Sequence, residues 1–489
     1  MLCSERPYPH LIRRRTEGAA AEMALFSLLP HVPRSEGRIA LAHRVGVRLA
    51  GAAGGRLVER AADSRYLRNV AMLVGGTALG QGVVVAASPI LTRLYTPADF
   101  GILAAYAAIL SLVVVVSSLR YDVAVPLANE DEGAANLLAL SLGAVLVTSV
   151  LVALAVILFG NQLVRIGGTE GLQPYLWLLP LSVIGAGVYQ ALLGWAVRKE
   201  AMGAIARTKL SQGIGMVVTQ LGLGVLSAGP AGLLVGWAVG QASGGGTLAM
   251  LGWRQDRSVL KRVSMAGMRW VAVRYRRWAV LSTGSAFLNS VVLGVPVLFL
   301  SSGYGLTVAG SYALGQRIVG VPMLLVGGSM SQVYLAEAFR LAREDPLQLE
   351  RLFLQTAKRL LLVGTLPILG LTLTAPWTFT VIFGSQWRDA GLYLMLLAPM
   401  LLVQFVSSQL SGTLDVLERQ DLFLVASVAR LALMVAAVVL APLLMLGDLA
   451  AIGLLGAMTL LGYVTYTALC WYALLKRRGE LPQEEGGEA

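Results

Sequence analysis

Residues 137–159 read LLALSLGAVLVTSVLVALAVILF, a stretch of 23 residues without a single charged side chain. A helix needs about 20 consecutive apolar residues to cross a hydrocarbon core roughly 30 Å thick. A strand of a membrane barrel would instead show about ten residues of alternating polarity, and this stretch does not alternate. The stretch therefore predicts a transmembrane helix.

Similar stretches recur along the chain, and the composition agrees with them. The 489 residues are 56% hydrophobic and 13% charged, with a mean hydropathy of +0.71. Soluble domains carry about 25% charged residues. We therefore predict an all-α membrane protein with about twelve transmembrane helices. The predicted spans are residues 70–91, 102–119, 137–159, 174–197, 210–228, 231–253, 278–300, 306–335, 360–383, 392–414, 422–446 and 449–475.

Basic residues divide the chain and predict its orientation. Residues 254–277 carry eight lysines and arginines and separate two six-helix halves, residues 65–253 and 278–475. With the N-terminus inside, the inside segments from residue 65 onward hold 24 basic residues, and the outside loops hold only Arg93, Arg165 and Arg388. Cytoplasmic loops are enriched in lysine and arginine, so we place both termini and the 254–277 linker in the cytoplasm. This orientation already accounts for the basic residues of the linker. We therefore expect no nucleic-acid partner.

The two ends of the chain lie outside the predicted spans. Residues 1–64 are arginine-rich and contain no stretch long enough to span. They are interpreted as a disordered cytoplasmic tail or as an over-extended start, with Met23 and Met72 as later candidates; an amphipathic surface helix within residues 39–58 is the alternative. Residues 476–489 are predicted to form a cytoplasmic tail.

The two halves share a short echo. Residues 95–101 read YTPADFG, and residues 304–310 read YGLTVAG, with the same tyrosine-to-glycine spacing 209 residues later. Pro89 and Pro296 also lie toward the outer ends of the first helix of each half. Halves that repeat in the same membrane orientation are related by an axis along the membrane normal. This arrangement predicts a binding cavity at their interface.

The residues offer little for catalysis. The three histidines lie within the first 43 residues, and the two cysteines lie at opposite ends of the chain. The longest predicted outer loop, residues 160–173, carries only Arg165 and Glu170 as charges. Neither a nucleophile–base arrangement nor a phosphate-binding loop is recognisable in the predicted spans. We therefore predict a protein that is not an enzyme, with no cofactor and no metal site.

Polar residues inside the predicted spans are the candidates for binding. Arg317 lies about eleven residues into the eighth predicted span beside Gln316, and we interpret it as facing a water-filled cavity, because a charge at membrane depth marks a pathway. Arg430, near the cytoplasmic end of the eleventh span, is interpreted as a snorkelling arginine. Amides offer donors and an acceptor to sugar hydroxyls, although most intramembrane amides cross-link neighbouring helices. The predicted substrate-binding residues are Arg317, Gln316, Asn289, Gln332 and Gln81.

Several short motifs in order resemble one known family. They are residues 91–101 (LTRLYTPADFG), 119–122 (LRYD), 312–317 (YALGQR), 327–333 (GGSMSQV), 383–391 (FGSQWRDAG) and 417–420 (LERQ). Together they resemble the Wzx-type oligosaccharide flippases of bacterial polysaccharide biosynthesis, in the MOP superfamily. The resemblance covers residues 67–475, and the first 64 residues have no counterpart in it.

The resemblance implies a function as well as a fold. It implies a V-shaped bundle that alternates between inward-open and outward-open states in the bacterial cytoplasmic membrane. The implied cargo is an oligosaccharide linked to undecaprenyl pyrophosphate, for O-antigen, capsule or exopolysaccharide assembly. Membrane lipid is an implied partner, and a polysaccharide polymerase or glycosyltransferases are further candidates. A cavity arginine fits the pyrophosphate of such a carrier.

Two other functions remain open at this point. A MATE-type multidrug or metabolite exporter would share the fold, but such exporters usually use membrane-embedded carboxylates, and the predicted spans contain none well inside. A membrane scaffold for polysaccharide assembly that transports nothing is the second alternative. Such a scaffold gives no reason for a charge such as Arg317 within a span.

The predicted orientation can be tested with reporter fusions. A reporter in residues 254–277 should give a cytoplasmic signal, and one in residues 160–173 a periplasmic signal, because 24 basic residues lie on one side and three on the other. Paired alkaline-phosphatase and fluorescent-protein fusions provide the measurement. A periplasmic signal from residues 254–277 would contradict the twelve-span topology.

Overall fold

The computed structural model describes residues 72–479, which contain helices and no strand. Thirteen helices in this part of the chain are longer than ten residues, and they are numbered in chain order. They are α1 (Met72–Leu94), α2 (Pro97–Ser117), α3 (Asp131–Ile166), α4 (Leu178–Arg198), α5 (Met202–Val225), α6 (Pro230–Ala242), α7 (Gly245–Leu260), α8 (Met265–Gly303), α9 (Leu306–Glu344), α10 (Pro346–Phe383), α11 (Arg388–Leu410), α12 (Gln420–Leu443) and α13 (Asp448–Gly479).

These helices confirm the predicted all-α membrane fold. Eleven of the twelve predicted spans each coincide with one long helix, and the sixth coincides with α6 and α7 together. Within residues 72–479, nine segments are long and apolar enough to cross a membrane on their own. The interpretations of residues 1–64 and of the tail at 480–489 fall outside the described residues.

The sixth predicted span is not one continuous helix. Helix α6 ends at Ala242, and Gly244 adopts a φ of +91°, which no helix interior allows. A side chain at Gly244 could not be accommodated either, since its Cβ would lie 2.5 Å from the Cβ of Thr208. Ser243 and the three consecutive glycines at 244–246 are a turn signal in the sequence, but the hydropathy of the whole stretch predicted one continuous span.

Most of the predicted linker is helical. Helix α7 continues to Leu260 and α8 begins at Met265, so only residues 261–264 connect them. Ser264 caps α8, accepting a hydrogen bond from the backbone N–H of Gly267, while its own N–H donates to Asn136 Oδ1 over 3.1 Å. The 39 residues of α8 extend over about 58 Å at ~1.5 Å per residue. This length exceeds a hydrocarbon core roughly 30 Å thick, so α8 projects beyond the membrane.

The two halves meet where α2 crosses α9, within the first turns of both helices. A Cβ at Gly101 would overlap the backbone carbonyl of Leu306. A Cβ at Gly310 would in turn overlap the carbonyl of Pro97. Gly101 therefore contacts Leu306, four residues before Gly310, and Gly310 contacts Pro97, four residues before Gly101. Reciprocal contacts of this kind are expected of two elements related by a twofold axis. We call this contact, formed by Pro97, Gly101, Leu306 and Gly310, the α2–α9 crossing.

The tyrosines of the same echo also occupy corresponding positions. The Tyr95 hydroxyl donates to the carbonyl of Gln220 on α5 over 2.6 Å, within the first half. The Tyr304 hydroxyl donates to the carbonyl of Leu446, just after α12, over 3.0 Å. Helices α5 and α12 contain the fifth predicted span of their respective halves. The short sequence echo thus marks equivalent structural positions in the two halves.

Further contacts close this end of the bundle, where α1 leads into α2. The indole Nε1 of Trp387 donates to the carbonyl of Thr92 over 3.0 Å, and Gln386 Nε2 donates to the same carbonyl over 2.8 Å. The Trp387 ring also packs edge-on against Phe100, with ring centroids 5.0 Å apart. These contacts join the α10–α11 connection of the second half to α1 and α2 of the first. By the predicted orientation, this is the outer end.

The α2–α9 crossing can be tested with Gly310→Ala. The added methyl group overlaps backbone atoms of α2, which cannot move without separating the halves, so we expect a loss of roughly 1–3 kcal/mol of stability. Thermal unfolding in detergent is the measurement. Gly320→Ala on the same helix is the control, because a Cβ there meets nothing within 4 Å. Equal unfolding midpoints for the two variants would contradict the close approach.

Candidate functional site

A cavity of about 650 Å³ lies between the two halves. It is lined by α1, α2, α5 and α6 of the first half and by α8, α9, α11, α12 and α13 of the second. The α2–α9 crossing lies toward one end of it, since Phe100 and Tyr312, next to the crossing glycines on their helices, are among the lining residues. The interface between halves that the repeat predicted therefore does contain a cavity.

Three cationic side chains line this cavity. They are Lys209 on α5, Arg317 on α9 and Arg430 on α12, so both halves contribute. Among the described residues of the lining there is no aspartate or glutamate. None of the three cations forms an ion pair with another described residue. The cavity therefore presents positive charge that no residue between positions 72 and 479 neutralises by an ion pair.

Arg317 has the least satisfied guanidinium. Its Nη2 is buried and has no hydrogen-bond partner within the described part of the chain. The amide Nε2 of the neighbouring Gln316 donates to the Tyr312 hydroxyl over 3.1 Å. A buried donor without an acceptor is costly, and it is usually explained by a function or a ligand. The position of Arg317 agrees with its interpretation, made from the sequence, as a residue that faces a cavity.

Arg430 also belongs to the cavity, which corrects its interpretation as a snorkelling arginine. Its guanidinium lies over the ring of Tyr463, 4.5 Å from the centroid, and Nη2 donates to the Tyr463 hydroxyl over 3.3 Å. The aromatic ring of α13 thus holds the arginine toward the interior of the bundle. Cation–π contacts of this kind need no counter-charge.

Lys209 was missed because the predicted fifth span began one residue after it. In the structure α5 begins at Met202, so Lys209 lies in the helix rather than in a loop. Its ammonium group lies 5.0 Å from the centroid of the Tyr189 ring. The run from Arg207 to Gln212 is polar, and for that reason hydropathy placed the helix start too late.

The predicted binding residues divide into two groups. Gln81, Gln316 and Arg317 line the cavity. Asn289 on α8 and Gln332 on α9 are exposed and are not part of the lining, so their role stays a prediction that this cavity does not support. Further uncharged polar residues complete the lining: Thr77, Ser111, Gln212, Gln241, Gln404 and Thr459.

Two other polar groups, on Trp237 and Gln220, differ in their relation to the cavity. The indole Nε1 of Trp237, on the cavity wall formed by α6, is buried without a hydrogen-bond partner in the described structure. Gln220 instead lies outside the lining and cross-links α5 to α6, because its Nε2 donates to the Leu233 carbonyl over 3.1 Å. Gln220 thus has the structural role expected of most intramembrane amides.

The sequence matches one protein family over most of this region. Residues 90–392 match the profile of a family described as "Polysaccharide biosynthesis protein". No curated protein matches the chain.

Several solved structures share the fold. The lipid II flippase MurJ, in an inward closed conformation, superposes with a TM-score of 0.57 at 12% identity, covering 82% of this chain and 86% of MurJ. The MATE transporter VcmN of Vibrio cholerae gives 0.53 at 14% identity, covering 85% and 98%. A MOP superfamily transporter of Pyrococcus furiosus gives 0.52 at 16%, covering 84% and 95%. At these identities the likeness concerns the fold alone.

The unpaired charge of Arg317 can be tested through stability. Taking a charge out of water is costly and no counter-charge among the described residues offsets that cost at Arg317, so Arg317→Met should raise the thermal unfolding midpoint in detergent. Pyrophosphate should raise the midpoint of the unmodified protein and leave that of Arg317→Met unchanged. Arg340→Met is the control, since Arg340 is exposed on the same helix and paired with Glu337 and Glu344. A lower midpoint for Arg317→Met would mean that Arg317 stabilises the bundle.

Proposed function

We propose that this chain, which belongs to the polysaccharide biosynthesis protein family, is a flippase of the MOP superfamily for oligosaccharides linked to undecaprenyl pyrophosphate. Its fold is that of MOP-type transporters and flippases, and we infer that it moves its cargo without chemical change. The proposed site of action is the bacterial cytoplasmic membrane, in the assembly of O-antigen, capsule or exopolysaccharide.

One observation carries this proposal: the cavity between the halves has three cations and no carboxylate among its described residues. Such a cavity favours an anionic cargo. Arginine is suited to phosphate because its planar fork of N–H donors matches two phosphate oxygens at once. Arg317 and Arg430 both lie on the second half, so the proposed pyrophosphate site is formed chiefly by α9 and α12. Lys209 faces it from the first half as a compact point charge.

The uncharged lining supports a glycan beside the phosphates. Amide side chains such as Gln81, Gln241 and Gln404 offer both donors and acceptors, which is what sugar hydroxyls require. Trp237 adds an unpartnered N–H donor and an aromatic surface. A cargo rich in oxygen acceptors would satisfy both this indole and the free Nη2 of Arg317.

The same charges disfavour the two alternatives. A MATE-type exporter of cationic compounds would have to accommodate its substrate beside three cations, without the carboxylates that such exporters usually use. Within this fold the polarity of the pocket does vary, since the Pyrococcus furiosus transporter is described as having a binding pocket of reverse polarity that suggests a different function. A scaffold that transports nothing would have no use for unpaired cations in a cavity, because each costs stability.

We further propose that the membrane potential assists export. With the inside negative, outward movement of an anion is favourable by about 2.3 kcal/mol per charge per 100 mV. A pyrophosphate diester with two charges would gain about 4–5 kcal/mol if it crossed the whole field at that voltage. Any outward movement of the cavity cations with the cargo would reduce this gain, since their charge moves against the field.

The proposal is tested by variants of Arg317 in cells whose polysaccharide output depends on this protein. Charge-assisted hydrogen bonds contribute about 1.5–3 kcal/mol each, so Arg317→Ala should lower output by roughly tenfold or more. Arg317→Lys keeps the charge but loses the two-donor fork, and it should retain part of the output. Output is normalised to membrane-inserted protein, and Arg340→Ala is the control.

Unmodified output from Arg317→Ala would exclude the cavity role of this arginine. The potential is tested separately, by measuring flipping of the pyrophosphate-linked lipid in vesicles before and after the potential is collapsed. An unchanged rate would remove only the driving force from the proposal. Transport of cationic dyes by the same vesicles, with no flipping of the lipid, would favour an exporter instead.

A further inference from the structure

Two tryptophan–arginine pairs flank the short connection between α7 and α8. On α7, the guanidinium of Arg257 lies over the ring of Trp253, 5.4 Å from its centroid. On α8, Arg274 lies over Trp270 at 5.1 Å. In both pairs the arginine follows the tryptophan by four residues. On α8 this spacing stacks the two side chains along one helix face, whereas on α7 the backbone kinks at Asp256 between them. We call these four residues the Trp–Arg pairs.

The Trp–Arg pairs are exposed. The tryptophans are 54% and 58% accessible at positions 253 and 270, which is unusual for the largest apolar side chain. The opposite face of α8 is the packed one, because Val271 and Ala279 are buried against the first half. Internal packing therefore fixes which way α8 faces and leaves Trp270 on the outside.

The charge around the pairs is of one sign. All eight basic residues between positions 254 and 277 are exposed. The one acidic residue in that interval, Asp256, is already engaged: it pairs with Lys199 at 3.0 Å and accepts from the Trp195 indole at 3.1 Å. The surface thus keeps its positive charge, and that charge is available to an external anion.

The position of the pairs along the bundle identifies the kind of anion. Helix α8 is much longer than a hydrocarbon core, and its apolar C-terminal part contributes residues 292–294, 296 and 297 to the cavity. The apolar segment of α8 that is long enough to cross a membrane begins at Ala279, so we expect the turns before it to lie at the level of the lipid headgroups. Tryptophan is enriched at this level because its ring is amphipathic, and arginine binds phosphate oxygens.

We propose that the Trp–Arg pairs bind the phosphodiester headgroups of anionic phospholipids in the adjacent leaflet. The indole ring lies at the boundary of headgroup and acyl chain, and it holds the guanidinium in the plane of the phosphates. This site lies apart from the cavity and does not depend on the proposed cargo.

The experiment compares lipid binding by three double variants of the full chain in detergent, using native mass spectrometry with added phosphatidylglycerol or phosphatidylcholine. A charge-assisted hydrogen bond contributes roughly tenfold or more in affinity, so Arg257→Gln with Arg274→Gln, which removes one at each site, should weaken phosphatidylglycerol binding by roughly 100-fold. Trp253→Leu with Trp270→Leu keeps every charge and should still lose several-fold. Binding of phosphatidylcholine should change little.

The matched control is Arg254→Gln with Arg276→Gln, which removes two exposed arginines of the same region that stack on no tryptophan. This variant changes the net charge and the number of basic residues in the linker as much as Arg257→Gln with Arg274→Gln does. Its affinity for phosphatidylglycerol should nevertheless fall less than a third as far. An equal loss would overturn the proposal and leave only a general electrostatic attraction. Binding of glycerol 3-phosphate as tightly as the lipid would overturn the assignment to a membrane lipid.

Discussion

Every backbone polar group that enters hydrocarbon must find its hydrogen-bond partner within the protein, and this constraint governs the whole molecule. It makes each span a helix and confines exceptions to places that face protein or a cavity. The break at Gly244 fits this rule, because its backbone packs against Thr208 of α5 and so remains among protein atoms. Polar side chains follow this rule less strictly, since Gln81 and Gln316 lie in the cavity and Gln220 lies between packed helices, whereas Asn289 and Gln332 are exposed.

The two halves share a backbone arrangement but not a chemistry. The α2–α9 crossing and the paired tyrosines Tyr95 and Tyr304 repeat with the symmetry of a twofold axis. The cavity that this axis creates is asymmetric, because the first half contributes Lys209 and the second contributes Arg317 and Arg430. A symmetric framework can move two rigid halves against each other, whereas an asymmetric lining can hold the charged end of a cargo on one side.

The cavity also contains cations that lower the stability of the bundle and that we assign to function. A bundle selected for stability alone would pair its buried cations with carboxylates or replace them with apolar residues. This bundle instead places Arg430 on the ring of Tyr463 and leaves Nη2 of Arg317 without a partner. An arginine held by a π face keeps its charge available, whereas a carboxylate would neutralise it.

The sequence by itself determined the helical membrane fold and the approximate positions of its long helices, because both depend on local hydropathy over about 20 residues. It also identified Arg317 and Gln81 as cavity residues, since a polar group inside an apolar helix needs a polar surrounding. Only the tertiary structure decided that Arg430 faces the cavity, that Lys209 joins it, and that Asn289 and Gln332 do not. The reason is physical: hydropathy fixes how deep a residue lies, but the rotation of each helix about its axis is set by packing. Gly101 and Gly310 illustrate the difference. The seven-residue echo that contains them is visible in the sequence, but only the crossing of α2 and α9 shows that the two glycines lie in one contact.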